Sequence, residues 1–501
     1  MFELFIEGLG NIVTFKIMAL ILGGTILGLI FGSIPGLTAT MAIAICLPLT
    51  YTMGPIAGMA LCMGLYIGGV SGGLVPAILL NLPGTPSSIA TTFDGYPMTK
   101  NGQAGKAFGF AIVSSFIGGL LSIIVLMTIS PPLAKFALKF GPYEYFAVAI
   151  FALTLISSLS DGSLVKGLLS GFLGLALAMV GSAPIDAFPR FTFDISSLDG
   201  GFNLLPALIG LFAVSEILQI AERRMKKPKK VEYKIKGLGF TMKEFMTQKW
   251  NMLRSSLLGI GIGILPGIGG GTANILAYVT AKNQSKHPEK FGKGIPDGVV
   301  ASESSNNAAI GGALVPLMSL GIPGDTVTAM LLGGLIIHGL TPGPLLFTQN
   351  GDVVYGIFIS LIIANFMMIF LLFLGMRVFV KLLSIPQYIL LPIILTLCAV
   401  GAFGVNNRLF DVGSLLAFGI IGYILIKARF PLTPIILGFI LGPIAETSLR
   451  RGLMLSKGDF TPFLTQPIAA TFLSIAALSI IYKVYKGQKK KKITPDSGTP
   501  V

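Results

Sequence analysis

Residues Leu74 to Ser88 read LVPAILLNLPGTPSS, an apolar run that ends at Pro83-Gly84 and passes directly into hydroxyl residues. The chain nearly repeats it at Leu314 to Thr326, LVPLMSLGIPGDT. A constant shift of 240 carries Leu74, Val75, Pro76, Leu80, Pro83 and Gly84 onto Leu314, Val315, Pro316, Leu320, Pro323 and Gly324. Proline ends a helix because its ring clashes with the preceding turn and it has no N–H. Glycine then permits a tight turn and a close backbone approach. Two further breaks, Pro35-Gly36 and Pro266-Gly267, stand at matching places near the start of each half of the chain.

These breaks fall within apolar sequence. Of 501 residues, 53% are hydrophobic and 11% charged, with mean hydropathy +0.84. A soluble protein carries about a quarter charged residues, and apolar runs of about 20 residues, the length that crosses a bilayer, recur here from end to end. The composition predicts an all-α polytopic membrane protein. The net charge of +15 is concentrated in two places. Eleven Lys/Arg face two Glu between Arg223 and Arg254, and six Lys face Asp496 from Lys483 onward. Basic loops beside apolar spans are positive-inside signals, unlike the basic face of a folded nucleic-acid-binding domain, so no nucleic-acid partner is expected. Cys46, Cys62 and Cys398 lie in apolar runs, without disulfide or metal-ligand spacing. The first span, near residues 12–31, is too long for a signal-peptide core, lacks a basic leader and is expected to stay in the mature protein.

The pattern is one of two tandem units. Pro206-Ala-Leu-Ile-Gly210 resembles Pro434-Ile-Ile-Leu-Gly438, with Glu216 and Glu446 downstream. This divides the chain into a membrane repeat over 1–222, a basic linker over 223–254, a second repeat over 255–485 and a basic cytoplasmic tail over 486–501. In the linker, apolar residues at helical spacing from Met242 to Leu253, with the sole tryptophan Trp250, read as an interfacial helix or as disordered chain. The run Thr38 to Leu49 is too short to cross. The hairpin around Pro266-Gly267 has basic residues on both flanks and reads as re-entrant. With the acidic N-terminus outside and the linker inside, each repeat crosses an odd number of times and the two are inverted.

Lipid cannot satisfy broken backbone, so such breaks are tolerated only where protein or a water-filled cavity covers them. The helix beginning after each break offers free N–H groups and about half a unit of positive charge, which suits an anion. The candidate solute-binding residues are therefore Pro35, Gly36, Pro83, Gly84, Thr85, Ser87, Ser88, Pro266, Gly267, Gly269, Pro323, Gly324 and Thr326, with the Pro83-Gly84 and Pro323-Gly324 tips expected to approach each other. The bland alternative is a helix end at the membrane surface. Glu303, Asn306 and Asn307 share one face if helical. They read as an ion-binding cluster for sodium or a proton, or as a helix cap with Ser302 or Ser304. Asp94, before Gly95, reads as a turn residue or a site-facing loop. His287 and His338 read as structural. Asp325 has no partner aspartate in an apolar span, no nucleophile–base pair is evident, and no GxxxxGK[ST] run occurs. Neither an enzyme nor an ATPase is expected. A channel with Pro-Gly filter loops is the rival to a transporter.

Several stretches resemble the large membrane (permease) subunit of the tripartite tricarboxylate transporters: SIPGL at 33–37, GGLVPAILLNLPGTPSS at 72–88, FDGYPM at 93–98, PRFTF at 189–193, LPGIGGG at 265–271, FGKGIPDGVVASESSNNAA at 291–309, GALVPLMSLGIPGD at 312–325 and GLTPGP at 339–344. Ser305 stands where that pattern has a small residue such as alanine. The resemblance implies a bacterial-type inner-membrane permease of about twelve spans. It implies two partners, a small four-span membrane subunit and an extracytoplasmic solute-binding protein. It also implies uptake of tricarboxylates or related organic carboxylates, driven by an ion gradient, commonly sodium.

Overall fold

The structure, a computed structural model, describes residues 2–159, 163–222, 239–382 and 387–493. The basic residues 223–238 and the chain beyond 493 lie outside them. In chain order the helices are α1 (Phe2–Ile12), α2 (Phe15–Ser33), α3 (Ala39–Thr50), α4 (Pro55–Gly72), α5 (Leu74–Leu80), α6 (Ile89–Lys100) and α7 (Ala104–Ala137). Then come α8 (Pro142–Leu159), α9 (Leu164–Ala178), a small hairpin of β1 (Gly181–Ser182) and β2 (Pro189–Arg190), α10 (Leu204–Ile209) and α11 (Ser215–Glu222). The second half holds α12 (Met242–Thr247), α13 (Lys249–Ile264), α14 (Gly269–Gln284), α15 (Pro296–Leu320), α16 (Thr326–Ile337), α17 (Pro344–Gln349) and α18 (Gly351–Leu382). It closes with α19 (Gln387–Asn406), α20 (Leu409–Lys427), α21 (Leu432–Leu455), α22 (Thr461–Thr465) and α23 (Pro467–Ile493). Among the described residues, nine helices are long and apolar enough to cross a membrane, counting α4 with α5 and α10 with α11. Residues 39–50, 142–155, 164–178 and 326–337 form shorter apolar helices.

The chain forms two compact units, each built from both halves of the sequence. One holds residues 1–138 and 205–423, the other residues 139–204 and 424–501. All four Pro-Gly breaks and the Glu303 cluster lie in the first. Its centre is α15, whose residues Gly298 to Ser319 are all buried although they include SESSNN. A helix this polar is placed against protein because lipid cannot satisfy its side chains.

Glycine sets the packing around that centre. Alongside α4, a side chain at Gly28 of α2 would come within 2.5 Å of Leu65 O, and one at Gly32 would overlap Gly69 O. Alongside α15, a side chain at Gly259 of α13 would overlap Ser305 O, and one at Gly263 would come within 2.6 Å of Ala309 O. The two sets correspond residue by residue. A shift of 231 carries Gly28 and Gly32 onto Gly259 and Gly263, and 240 carries Leu65 and Gly69 onto Ser305 and Ala309. The breaks follow the same rule. Gly84 packs on Gly32 O and Gly73 Cα, and Gly324 packs on Gly263 O and Ala313 Cα. In each parallel pair the backbones touch, so the chain can turn back beside its own helix.

The first unit has two chemically different ends. At one, Lys106 pairs with Glu244, the rings of Phe110 and Phe240 stack at 4.5 Å, and Asn101 Nδ2 donates to Lys293 O at 3.3 Å. The Lys106 ammonium, with Thr241, holds the Glu244 carboxyl below its usual range. The starts of α7, α13 and α15 and the ends of α6 and α14 meet there, with Lys100, Lys249, Arg254 and Lys282. At the other end α3 stops, α4 starts and α16 stops, and His338 Nε2 lies 3.2 Å from Thr50 Oγ1. Residues 242–253 form α12, which Thr241 and Glu244 cap reciprocally, and the first turn of α13, where Trp250 is exposed.

In the second unit, α9 packs on α21 through Gly171, Gly174 and Gly438, and Arg190 pairs with Glu446 through two nitrogens at 2.7 and 3.1 Å.

The glycine contacts give a direct test. Gly32→Val and Gly263→Val force backbone apart and are expected to destabilise the protein by about 2–4 kcal/mol each. Gly23→Ala in α2, where nothing lies within 4 Å, should be neutral or slightly stabilising through helix propensity. Thermal unfolding in detergent measures all three, and a Gly32→Val protein as stable as Gly23→Ala would refute the packing argument.

Candidate functional site

The four breaks converge inside the first unit. The link between the second-half breaks is direct, since Gly267 N–H donates to Gly324 O at 2.7 Å. A side chain at Gly269 would meet Asp325 Cβ at 3.1 Å. One at Gly270 would meet Ser87 Cβ and Asn306 Oδ1, both at 3.1 Å, and one at Gly271 would meet Pro86 O at 3.3 Å. Beyond Pro35-Gly36, Thr40 Oγ1 lies 3.1 Å from Thr326 Oγ1. The tip at 266–271 thus bridges the tips at 83–88 and 323–326, and the tip at 35–40 closes the ring from the other side. The structure brings together Gly84, Thr85, Ser87, Ser88, Gly267, Gly269, Gly324 and Thr326. Pro266 and Pro323 are buried beside them, while Pro35 and Gly36 are half-buried and Pro83 is exposed.

Each tip has its own polar chemistry. Thr38 caps α3, accepting from Met41 N–H at 3.3 Å and donating to Glu216 at 3.1 Å. Glu216 follows a π-helical turn over Gly210–Val214. Thr85 N–H donates to Ser88 Oγ at 3.2 Å, and Ser88 Oγ donates to Thr85 O at 2.9 Å. Asp325 caps α16. Its Oδ1 accepts from Thr328 N–H and Oγ1, each at 2.7 Å, and its Oδ2 accepts from Tyr66 OH at 2.7 Å. At the start of α14 the N-cap is Ile268, which has no capping side chain.

Glu303, Asn306 and Asn307 do lie on a helix, but well inside α15, so the cap reading fails. Their environments differ. Glu303 is fully buried and accepts from Thr91 Oγ1 at 2.6 Å and Ser115 Oγ at 2.9 Å. Asn307 is committed, since Oδ1 accepts from Ser71 Oγ at 2.7 Å and Nδ2 donates to Glu303 O at 3.3 Å. The Asn306 amide is buried close to Glu303, yet neither of its polar atoms makes a well-formed hydrogen bond.

Asp94 corrects its turn reading. It lies within α6, fully buried, and faces a different loop. Its Oδ1 accepts from the N–H groups of Gly292, Gly294 and Ile295 at 2.8–3.0 Å, and its Oδ2 accepts from Tyr278 OH at 2.9 Å. Gly292 and Gly294 have φ of +81° and +101°, so the loop reaches the carboxylate through conformations that favour glycine. Asp94 is a clamp that fixes the entry to α15. Sequence reasoning also missed Tyr66, Ser71, Thr91, Ser115 and Asn274. Each is an ordinary polar residue in apolar or mixed sequence, and its partner lies more than a hundred residues away or across a helix pair. No local pattern marks them.

Comparison with known proteins bears on this arrangement. The profile described as the Tripartite tricarboxylate transporter TctA family matches residues 18–437. An uncharacterized 52.8 kDa protein of the TAR-I ttuC' 3' region of Agrobacterium vitis is 37% identical over 469 residues, covering 94% of this chain and 93% of that protein. An uncharacterized protein of the TAR-II ttuC' 3' region of the same organism is 38% identical over 231 residues, 46% of this chain and 96% of that protein. No solved structure matches the chain.

The Asp94 clamp predicts the behaviour of one conservative change. Asp94→Asn keeps one acceptor oxygen for the three backbone donors but removes its charge, and reverses the bond with Tyr278 OH; it is expected to cost about 1–3 kcal/mol, because three bonds to a charged acceptor become bonds to a neutral one. Limited trypsin digestion should cut faster after Lys290 and Lys293. Normal melting and digestion with transport abolished would instead make Asp94 a solute ligand.

Proposed function

The chain belongs to the tripartite tricarboxylate transporter TctA family, and we propose that it is an ion-coupled uptake permease for tricarboxylates or related organic carboxylates, with its solute site where the four Pro-Gly tips meet. Membership makes it a multi-pass membrane transporter component that works with membrane partners. The carrying observation is the ring of tips, held by Gly267 N–H on Gly324 O and by Thr40 against Thr326. Broken backbone enclosed by protein is costly without a purpose, and helix starts gathered at one point attract an anion.

The repeat reading is part of the proposal. Corresponding glycines make corresponding backbone contacts in α2–α4 and α13–α15. The α13–α14 hairpin has both ends at the Lys-rich end of the first unit, and the α2–α3 hairpin has both ends at the opposite one. Residues 2–14, 47–58 and 334–352, which gather at that opposite end, contain no Lys or Arg, and Lys16 in the first turn of α2 stands beside them, against the many bases of the other end. Under the positive-inside rule the Lys-rich end is cytoplasmic, the two hairpins enter from opposite sides, and the repeats are inverted. By the same rule the basic residues from Lys483 onward are read as cytoplasmic, and the family resemblance makes the membrane the inner one. A small four-span subunit and an extracytoplasmic solute-binding protein complete the system in this reading.

The coupling cation, sodium by family resemblance, is assigned to Glu303. Its carboxylate is wholly buried, accepts from the hydroxyls of Thr91 and Ser115, and has the Asn306 amide beside it. Oxygen donors of this kind suit a hard monovalent cation, whose charge would compensate the carboxylate. Asn307 leaves the expected ion-binding set, because Ser71 and the Glu303 carbonyl already occupy its amide.

The test is uptake by the complex reconstituted with its small subunit and binding protein, using a panel of carboxylates with sodium and pH varied separately. Wild type should accumulate at least one carboxylate against its gradient, only when an ion gradient is present. Gly84→Leu and Gly324→Leu intrude on Gly73 and Ala313 backbone and should lower the rate by about 100-fold, the scale expected of a misplaced binding group. Normal rate and affinity in both variants would sink the site, and downhill flow without ion dependence would make the protein a channel.

A further inference from the structure

The four breaks lead to four helix starts, and three are closed by the protein itself. Thr38 caps α3. Thr85 and Ser88 close the turn before α6, and Ala90 N–H at the start of α6 is taken by Asn274 Oδ1 at 2.7 Å. Asp325 caps α16 with a carboxylate that Tyr66 also holds. Only α14 begins without a side-chain cap, at Ile268, and it opens with three glycines, Gly269 to Gly271.

A second observation points to the same place. The Asn306 side chain is 1% exposed, and although its amide lies beside Glu303, neither its Oδ1 nor its Nδ2 makes a well-formed hydrogen bond. Burying an amide with both polar atoms unmet is costly. Its Oδ1 lies 3.1 Å from where a side chain on Gly270 would begin, so it stands over the first turn of α14, with Ser87 on the adjoining wall. Ser87 Oγ has only Thr85 Oγ1, at 3.3 Å, as its neighbour, and Pro83 and Pro86 on that tip are exposed. The site therefore has an uncapped helix start sixteen residues long, an unengaged buried amide, a hydroxyl and an open approach.

We propose that the start of α14 is the one carboxylate-binding end among the four, and that Asn306 is its specificity-determining side chain. This rests on the transport reading above and narrows it. The carboxylate accepts from the first-turn N–H groups of α14, from Asn306 Nδ2 and from Ser87 Oγ. Asp325 flanks the site, its Cβ 3.1 Å from the side-chain position of Gly269. A second carboxylate does not take the α16 start, because the Asp325 carboxylate already accepts from the first-turn N–H of Thr328 there. The rest of the solute presents an uncharged face on that side. Asn306 thereby moves from the cation cluster to the anion, while Glu303, one turn earlier, remains with the cation.

The experiment is calorimetric titration of the permease with its small subunit, in lipid nanodiscs, with citrate and with succinate. Asn306→Asp replaces a donor with a charge of the solute's own sign and should weaken binding by about 100-fold. Gly270→Ala puts a methyl group between Asn306 and Ser87 and should weaken it by about 10-fold. Thr38→Ala removes a cap at another tip; it should lower the melting temperature and leave Kd within about twofold. Melting curves show which variants are folded, and Gly270→Ala decides the matter if Asn306→Asp does not fold. Binding within twofold of wild type in both Asn306→Asp and Gly270→Ala overturns the assignment, as does loss of binding in folded Thr38→Ala alone. Wild-type protein that binds no carboxylate removes the transport reading, and this inference with it.

Discussion

A helix that stops among apolar neighbours leaves N–H and C=O groups that lipid cannot satisfy, and the first unit is built around that constraint. Its breaks are buried by backbone. Gly84 lies on Gly32 and Gly73, Gly324 lies on Gly263 and Ala313, and Gly267 donates to Gly324. Such contacts need the helices beside the breaks to come closer than side chains allow. That is why the glycines of α2, α4, α13 and α15 fall at facing positions. Tight packing, in this protein, is the condition for having broken helices at all. Polar side chains then finish the work backbone cannot: hydroxyls and a carboxylate close three helix starts, and Asp94 collects three N–H groups from the loop before α15.

Three carboxylates of the first unit differ in their partners. Asp94, buried, and Asp325, half-buried, each accept from backbone N–H groups, which can only donate, and from one tyrosine hydroxyl, and so tie a loop and a helix start to the fold. Glu303, buried within α15, accepts from the hydroxyls of Thr91 and Ser115, with the Asn306 amide beside it. Its bonds join α15 to α6 and α7.

Much of this architecture was legible in the sequence because it is written in glycine and proline. The shift of 240 between the LVP…PG stretches marks contacts that recur at matching positions, and the short run after Pro35-Gly36 became α3, which ends at Thr50. The Lys-flanked hairpin became α13 and α14. What stayed hidden was pairing across the chain. FDGYP looks like a turn because Asp-Gly and Tyr-Pro are turn dipeptides, yet Asp94 sits inside α6, where its long-range bonds to residues 292–295 override local preference. Glu303, Asn306 and Asn307 share a helix face by spacing, but spacing cannot say that Ser71 takes Asn307, that Thr91 and Ser115 take Glu303, and that Asn306 is left without a well-formed bond. Those partners come from α4, α6 and α7, and only the folded chain brings them together.

The duplicated device is not used symmetrically, and the reason lies in single residues. Position 85 is Thr in the first copy, and its counterpart 325 is Asp in the second. Both cap a helix, but only one adds a charge. The second copy is also covered. Gly321 to Gly324 are buried, with Pro342 O 3.1 Å from the side-chain position of Gly321, whereas Asn81, Leu82 and Pro83 are exposed. The covering chain, Gly339 to Asn350, includes α17; the first copy passes from α6 to α7 through Asn101 to Gln103 alone. Two identical anion-attracting ends would bind two anions, or one anion in two competing poses. With Asp325 on one of these ends and residues 339–350 covering it, the two copies differ in charge and in access although their backbone contacts match.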